Sequence, residues 1–388
     1  MSFFFVGPRA LKLKLIYLAL LLWLEEPIAM PEGDQLIIEF GAERIDDEII
    51  RLLDQVIEQR GLTRDRDKYL FYFTRGIFFS HRDLKDLLTQ YLKGETFYLY
   101  TGRGPSSPSM HIGHLIPFRM TQLLQELFDV QVVIQLTDDE KFFAHEGKLS
   151  LETFHEYAEA NQRDIMACGF NPDKTFVFIN TEYMYRLYPV VVQIQKRINV
   201  NQIRAIFGYD QSASIGKVAF PAIQAAPAFS SCFPQLFTKP TRCLIPCATD
   251  QDPYFRMTRD IAVQMGFPKP ALLHAQFLPS LQGINSKMSS TQPDSVIFLN
   301  DPDKVIDKKI KKAVSGGGDT LDLHRQHGAN LAVDIPIQYL RFFLTDEAQY
   351  QSIRQSYKAG VMTTGEVKKL TIATIQAVVH AHQQARQL

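Results

Sequence analysis

A chain of 388 residues, 46% hydrophobic and 22% charged, is long enough for two or three domains with a sizeable core, and its composition excludes a disordered protein. Its 42 basic and 42 acidic residues cancel, so a nucleic-acid partner would be met by a local basic surface and not by the field of the whole molecule. Cys168, Cys232, Cys243 and Cys247 are too few and too scattered for a disulfide framework. They read as buried free thiols in a reducing compartment; Cys243 and Cys247 as half a metal site would lack a second Cys or His pair.

In chain order, residues 15–24 form an apolar run preceded by Arg9, Lys12 and Lys14. A spanning helix needs ~20 such residues, which excludes a membrane anchor. The run has the charged region and apolar core of a signal peptide, but no small-x-small cleavage site follows before Met30. Residues 1–29 are expected to be an appended leader or a start-site artefact, and 1–33 to lie outside the core. Residues 34–96 predict a short strand at 36–40 and a helix whose apolar positions are Ile45, Ile49, Ile50, Leu52, Leu53 and Val56. The aromatic run 69–73, with Phe78 and Phe79, reads as packed core in preference to an RNA-stacking platform.

From 97 to 302 strands and helices alternate. Strands are expected at 97–101, 130–137, 175–180, 242–247, 271–274 and 296–299, and helices from His111, over 151–168 before Gly169, and over 253–265 before Gly266, with Asp252 as cap. Near-continuous apolar strands such as Val132, Val133 and Ile134 predict a doubly wound parallel α/β sheet, whose ligands bind beyond the carboxyl ends of the strands. After 302 the pattern is helical. There Lys304, Lys308, Lys311 and Lys312 share one face, with Ile306, Ile310 and Val314 opposite.

Two stretches carry chemistry. In FYLYTGRGPSSPSMHIGHLIPF, from Phe97 to Phe118, a strand turns through Gly102, Gly104 and Pro105 into a helix at His111. Free N–H groups and the positive end of a helix dipole favour a phosphate there; His111 and His114 add donors, and Gly113 admits a planar group against the backbone. Farther on, Ser286, Lys287, Met288, Ser289, Ser290 and Thr291 form a small hydroxyl-rich segment whose lysine could close over phosphates as a point charge.

Together these stretches resemble the HIGH and KMSKS signatures of class I aminoacyl-tRNA synthetases. With QLTDDEKFF, IGKVAFPAIQAAPAFSS, CLIPCATDQDPYFRMTRDIA and PKPALLHAQFLPSLQG, the chain from about Asp34 to Gln384 is similar to the eukaryotic and archaeal branch of tryptophanyl-tRNA synthetase. The resemblance implies a Rossmann-like class I catalytic domain at 97–302 with a connective insertion at about 176–234 that supplies a dimer interface. It further implies a eukaryotic-type N-terminal patch at 34–96 and an all-α anticodon-binding domain at 303–388. The expected activity is ATP-dependent activation of L-tryptophan and its transfer to tRNA(Trp), by a cytoplasmic homodimer that uses ATP and Mg2+ and has no membrane association. Magnesium would ride on the nucleotide, with no protein metal site.

Residue by residue, the resemblance casts His111, His114, Lys287, Ser289 and Ser290 as catalytic, and Gly102, Arg103, Gly113, Lys141 and Met288 as ATP-binding. Tyr100, Gln135, Glu140, Gln224, Gln251 and Phe255 would bind tryptophan, and the four lysines 304, 308, 311 and 312 would contact tRNA. Gly318 stands where the family usually has arginine, and the chain stops without the longer tail of related proteins. A tyrosyl-tRNA synthetase shares the fold and both signatures, and a catalytically silent RNA-binding or signalling module is a second alternative. The FPAIQAAPAF, TDDEKFF and IPCATDQDPYF stretches favour the tryptophan branch, and His111, His114 and Lys287 favour an active enzyme.

Overall fold

The computed structural model describes residues 32–387, apart from 146, 148, 285, 287 and 289–291. It separates into a short first unit ending at Ala42 and a large compact unit from Glu43 onward. In the first unit the expected strand at 36–40 is instead a helix, Glu32–Ile38, in which Gln35 bonds Glu39 one turn on at 2.9 Å. A short apolar run has no period that separates strand from helix, and here the local turn-to-turn bonds win. The leader at 1–29 lies outside the described residues.

The large unit is built on a seven-stranded sheet in the order β1-β2-β7-β6-β3-β4-β5. Five strands are parallel: β3 (Phe97–Arg103), β4 (Gln131–Leu136), β5 (Thr175–Ile179), β6 (Arg242–Ala248) and β7 (Ala271–Ala275). Alternate residues face opposite cores. Phe97, Leu99, Val132, Ile134 and Leu273 pack on one side, and Tyr98, Tyr100, Val133, Ile245 and Leu272 on the other, so both faces are dry and the apolar runs are explained. The aromatic run 69–73 is buried in the first of these cores. The expected strand at 296–299 is a single bridge between Phe298 and His111. Its apolar residues are buried, but Ile297 and Leu299 spend their backbone bonds on Ile112 and Met110, holding down the loop before the helix.

Residues 43–96 extend this sheet. β1 (Glu43–Arg44) and β2 (Phe78–Arg82) add to the edge at β7 in antiparallel fashion. β2 also carries Arg82, whose Nε and Nη2 grip the two Asp252 oxygens at 2.9 and 3.1 Å. His274 Nε2 lies 3.0 Å from the same carboxylate, and its Nδ1 is 2.9 Å from Ser80 Oγ. Asp252 is therefore not the expected cap; it is the first residue of the helix Asp252–Ala262 and spends its carboxylate on this buried cluster. Burial works to raise that carboxyl, but the bonds from His274 and Arg82 outweigh it and hold it below its usual range. Gly266, with φ of +79°, stops the chain after a final tight turn, Val263–Met265.

Beyond residue 302 five helices follow, ending in Thr364–Gln387. Lys304, Lys308, Lys311 and Lys312 stand exposed on the helix Asp303–Lys312, while Ile306 and Ile310 are buried. Val314 falls past the end of that helix and is 41% exposed, so it does not belong to the buried side. Gly318 has no room for a side chain: a Cβ there would lie 2.7 Å from the His324 nitrogen, so an arginine could not enter without moving the loop. All four cysteines are free, and burial pushes the Cys168 thiol up to about 12. Among the described residues no helix is long and apolar enough to cross a membrane.

Candidate active site

Pairing of β3 sets the site. With β4 it continues to Arg103 opposite Leu136, whereas with β6 it runs only from Phe97 opposite Arg242 to Leu99 opposite Leu244. From Tyr100 onward β3 and β6 are no longer paired, at the point where strand order reverses, and in sheets of this kind the crevice that takes ligands lies there, at the carboxyl ends. Tyr100, at 2% exposed, projects there; its hydroxyl donates to Gln135 Oε1 at 2.5 Å and has the Gln224 carbonyl 2.8 Å away. Phe255 meets the Tyr100 ring edge-on at 5.8 Å. Gln224 and Gln251, each half-buried, satisfy one another through an Nε2 to Oε1 bond of 2.7 Å. Five of the six expected tryptophan-site residues are thus joined. The sixth, Glu140, stands one residue from Lys141 and pairs with it at 2.9 Å. A Cβ at Gly104 would collide with both side chains, so glycine there lets the loop close on the helix Asp138–Ala144. Gly102 likewise passes close to β4, where a Cβ would lie 3.1 Å from the Gln135 carbonyl.

The other end of the crevice is polar and unsatisfied. His111 caps the helix Ile112–Phe128, and its ring stacks on that of His114 with centroids 3.4 Å apart. Burial, then the nearby Arg103 charge, push the His111 imidazole down to about 4 and the His114 imidazole lower still. Both are neutral at pH 7 and act through one N–H each. Burial also lowers Arg103 to about 10, which leaves it charged. Arg103 Nη2 and His111 Nδ1 are buried without a hydrogen-bond partner among the described residues. Of the two, the charged Arg103 donor, beside the helix start, fits an incoming anion. A Cβ on Gly113 would lie 2.5 Å from Met288 Sδ, so this thioether covers the bare backbone. Lys287, Ser289 and Ser290 lie outside the described residues.

Three polar residues missed by sequence reasoning support these groups. Asn161 accepts from Arg103 Nε at 2.6 Å and donates to the Ser107 carbonyl at 2.9 Å, fixing both ends of the loop. Asn180 accepts from Gln135 Nε2 and donates to Asp139, each at 2.8 Å. Asp139 carried a legible signal, a carboxylate inside the TDDEKFF stretch; Asn161 sits within an expected helix and Asn180 at the end of the expected strand 175–180, where it instead begins the helix Asn180–Gln195, and neither position shows its partners. Among the described residues no group of three or more His, Cys, Asp or Glu could hold a metal ion.

A family model described as tRNA synthetases class I (W and Y) matches residues 92–380. The chain belongs to this family. It is 50% identical to the human protein named tryptophan–tRNA ligase, cytoplasmic, over 91% of this chain and 74% of that one. The solved tryptophanyl-tRNA synthetase of Plasmodium falciparum superposes with a TM-score of 0.84 at 44% identity, covering 91% of this chain and 93% of that one. That of Encephalitozoon cuniculi, bound to tryptophan, gives 0.83 at 39% identity, covering 93% and 95%. The two ends of the site thus differ: one is closed by its own hydrogen bonds, the other keeps a buried charged donor unmatched among the described residues.

Proposed function

We propose that this crevice joins L-tryptophan to ATP and passes the tryptophanyl group to tRNA(Trp), as an AMP-forming ligase serving translation. The chemistry is attack by a tryptophan carboxylate oxygen on the α-phosphorus, with the bond to the β-phosphate bridging oxygen breaking and pyrophosphate leaving in line. A ribose hydroxyl of the tRNA then attacks the mixed anhydride, and AMP departs. Two anions must meet, so the protein's work is positioning and charge stabilisation.

The observation that carries this reading is the pair of buried oxygens on Tyr100 and Gln135, which suits the single donor of an indole, with Phe255 as wall. Gln224, Gln251 and Glu140 are assigned to the amino acid's ammonium and carboxylate, and Lys141 to ATP or that carboxylate. Arg103, with the neutral imidazoles of His111 and His114, is assigned to the triphosphate, and Gly113 to the adenine face. Lys287, Met288, Ser289 and Ser290 would close on the β- and γ-phosphates. Magnesium enters on the phosphate oxygens as part of the nucleotide substrate.

The exposed lysines 304, 308, 311 and 312 are assigned to tRNA phosphates, on an anticodon-binding domain at 303–388. On the insertion helix Asn180–Gln195, Tyr185 and Tyr188 are 68% and 57% exposed and share a face with Val192, a stripe suited to a second copy in a homodimer. Cytoplasmic residence is supported by the naming of the relatives. ATP–pyrophosphate exchange with tryptophan, tyrosine and phenylalanine tests the whole. Exchange with tryptophan alone is expected; exchange with tyrosine, or none from folded protein supplied with magnesium, would overturn it.

A further inference from the structure

The Gln135 side chain is an amide, and an amide in a pocket offers either an acceptor or a donor depending on which way it is turned. Nothing in its own geometry chooses. Its neighbours do. Gln135 Nε2 points at two acceptors, Asn180 Oδ1 at 2.8 Å and the Ile223 carbonyl at 3.4 Å. Asn180 in turn spends its Nδ2 on Asp139 Oδ1 at 2.8 Å. That same oxygen accepts from the Glu140 backbone N–H at 2.8 Å, at the first turn of the helix Asp138–Ala144, so Asp139 is held as an acceptor. Asp139, Asn180, Gln135 and Tyr100 are all buried, at 7, 0, 1 and 2% exposed.

We propose that Asp139 and Asn180 set the direction of this hydrogen-bond chain, fixing the Gln135 amide with its oxygen toward the pocket, and are positioning residues for recognition of an indole N–H. The inference rests on the assignment of tryptophan as substrate. Every link runs one way: the carboxylate takes from the Asn180 amino group, Asn180 takes from the Gln135 amino group, and Gln135 takes from whatever donor the pocket holds. Reversing Gln135 would set its oxygen against Asn180 Oδ1 and the Ile223 carbonyl. Reversing Asn180 as well would set its oxygen against the carboxylate. A dry chain cannot absorb either conflict with water.

Tyr100 completes the device. A hydroxyl has one proton, and here it has two acceptors, Gln135 Oε1 at 2.5 Å and the Gln224 carbonyl at 2.8 Å. When an indole N–H arrives, the hydroxyl can turn its proton to Gln224, leaving Gln135 Oε1 free and its own oxygen as a second acceptor. The empty pocket is satisfied and the filled one is too.

The test is selectivity between tryptophan and its benzothienyl analogue, in which sulfur replaces the indole N–H, by pyrophosphate exchange at pH 8, where Asp139 is ionised. Asp139→Asn is isosteric, but its amide can donate as well as accept and so frees Asn180 to turn. The expected result is a loss of selectivity of about tenfold, through a higher KM for tryptophan with kcat little changed. The exchanged pair Asp139→Asn with Asn180→Asp restores a carboxylate that accepts from Gln135 Nε2, and should return selectivity to within about threefold of the parent. Equal losses on both substrates in Asp139→Asn, leaving their ratio unmoved, would reduce these residues to structural supports and overturn the proposal. Should Asp139→Asn fail to fold, the exchanged pair decides alone, retained selectivity supporting the proposal and lost selectivity overturning it. A parent enzyme that exchanges with no tryptophan would instead overturn the substrate assignment.

Discussion

The two ends of the crevice solve opposite problems with similar residue types. At the end assigned to the amino acid, Tyr100, Gln135, Asn180, Asp139, Gln224 and Gln251 are linked to one another, so on that assignment the acceptor surface exists before the ligand does. At the end assigned to the nucleotide, Arg103 Nη2 is buried and unmatched among the described residues, and two imidazoles, both pushed down by burial, are stacked beside it. A pocket that must tell one side chain from another gains from being finished in advance. A site that stabilises charge only as a reaction proceeds gains from donors kept in reserve, because bonds already satisfied in the ground state do not accelerate the step.

The contrast can be broken at several points. The largest effect is expected behind the amino-acid end. Arg82→Ala leaves the Asp252 carboxylate buried without its bidentate partner and should cost about 3–5 kcal/mol of stability in urea melts. Where the protein still folds, tryptophan affinity should weaken more than ATP affinity, because Asp252 adjoins Gln251 and shares a helix with Phe255. At the nucleotide end, Arg103→Ala should lower kcat by about two to three orders of magnitude with tryptophan affinity unchanged in calorimetry. An equal loss of tryptophan binding would mean that the two ends are not separable. Gln135→Leu should act the other way, raising KM for tryptophan by roughly 10- to 100-fold while KM for ATP stays put.

The smallest effect is on stability against pH. Burial pushes the His111 imidazole down to about 4 in the folded chain, against an ordinary value near 6.5 in an unfolded one, so between these values the unfolded state binds the extra proton. Stability is therefore whole above about 6.5 and lost as pH falls toward 4, by about 1 kcal/mol at pH 5.5 from this residue. Denaturant melts at pH 7.5 and 5.5 should show the loss, and His111→Asn should remove that part of it.

Much of this arrangement was legible in the sequence, and for local reasons. A strand, a glycine turn and a capped helix are decided within some thirty residues of each other, and the junction from Phe97 to Phe128 formed as the residues dictated. What escaped was non-local. That β2 would pair with β7 depends on residues as far apart as Ser80 and His274, 194 positions in sequence. Asp252 carried the spacing of a cap, but a partner from that distant strand claimed its carboxylate. At residues 36–40 and 296–299 a short apolar run reads as strand, and only the neighbours decide between strand, helix and pinned loop. Asn161 and Asn180 are ordinary helix residues until the groups they hold are seen.

The antiparallel strand β2 also constrains how the chain assembles. It is made early in synthesis, while β7 appears nearly two hundred residues later. Until then β2 has only the two-residue strand β1 to pair with, and an edge left open in that way invites wrong partners. The contact that braces the amino-acid pocket is thus among those of highest sequence separation in the molecule, and its closure belongs to the slow part of folding. The buried cluster on Asp252, next to Gln251, is thus completed only when the last strand of the sheet has been delivered, so the order in which the ribosome supplies the strands is also the order in which this support is assembled.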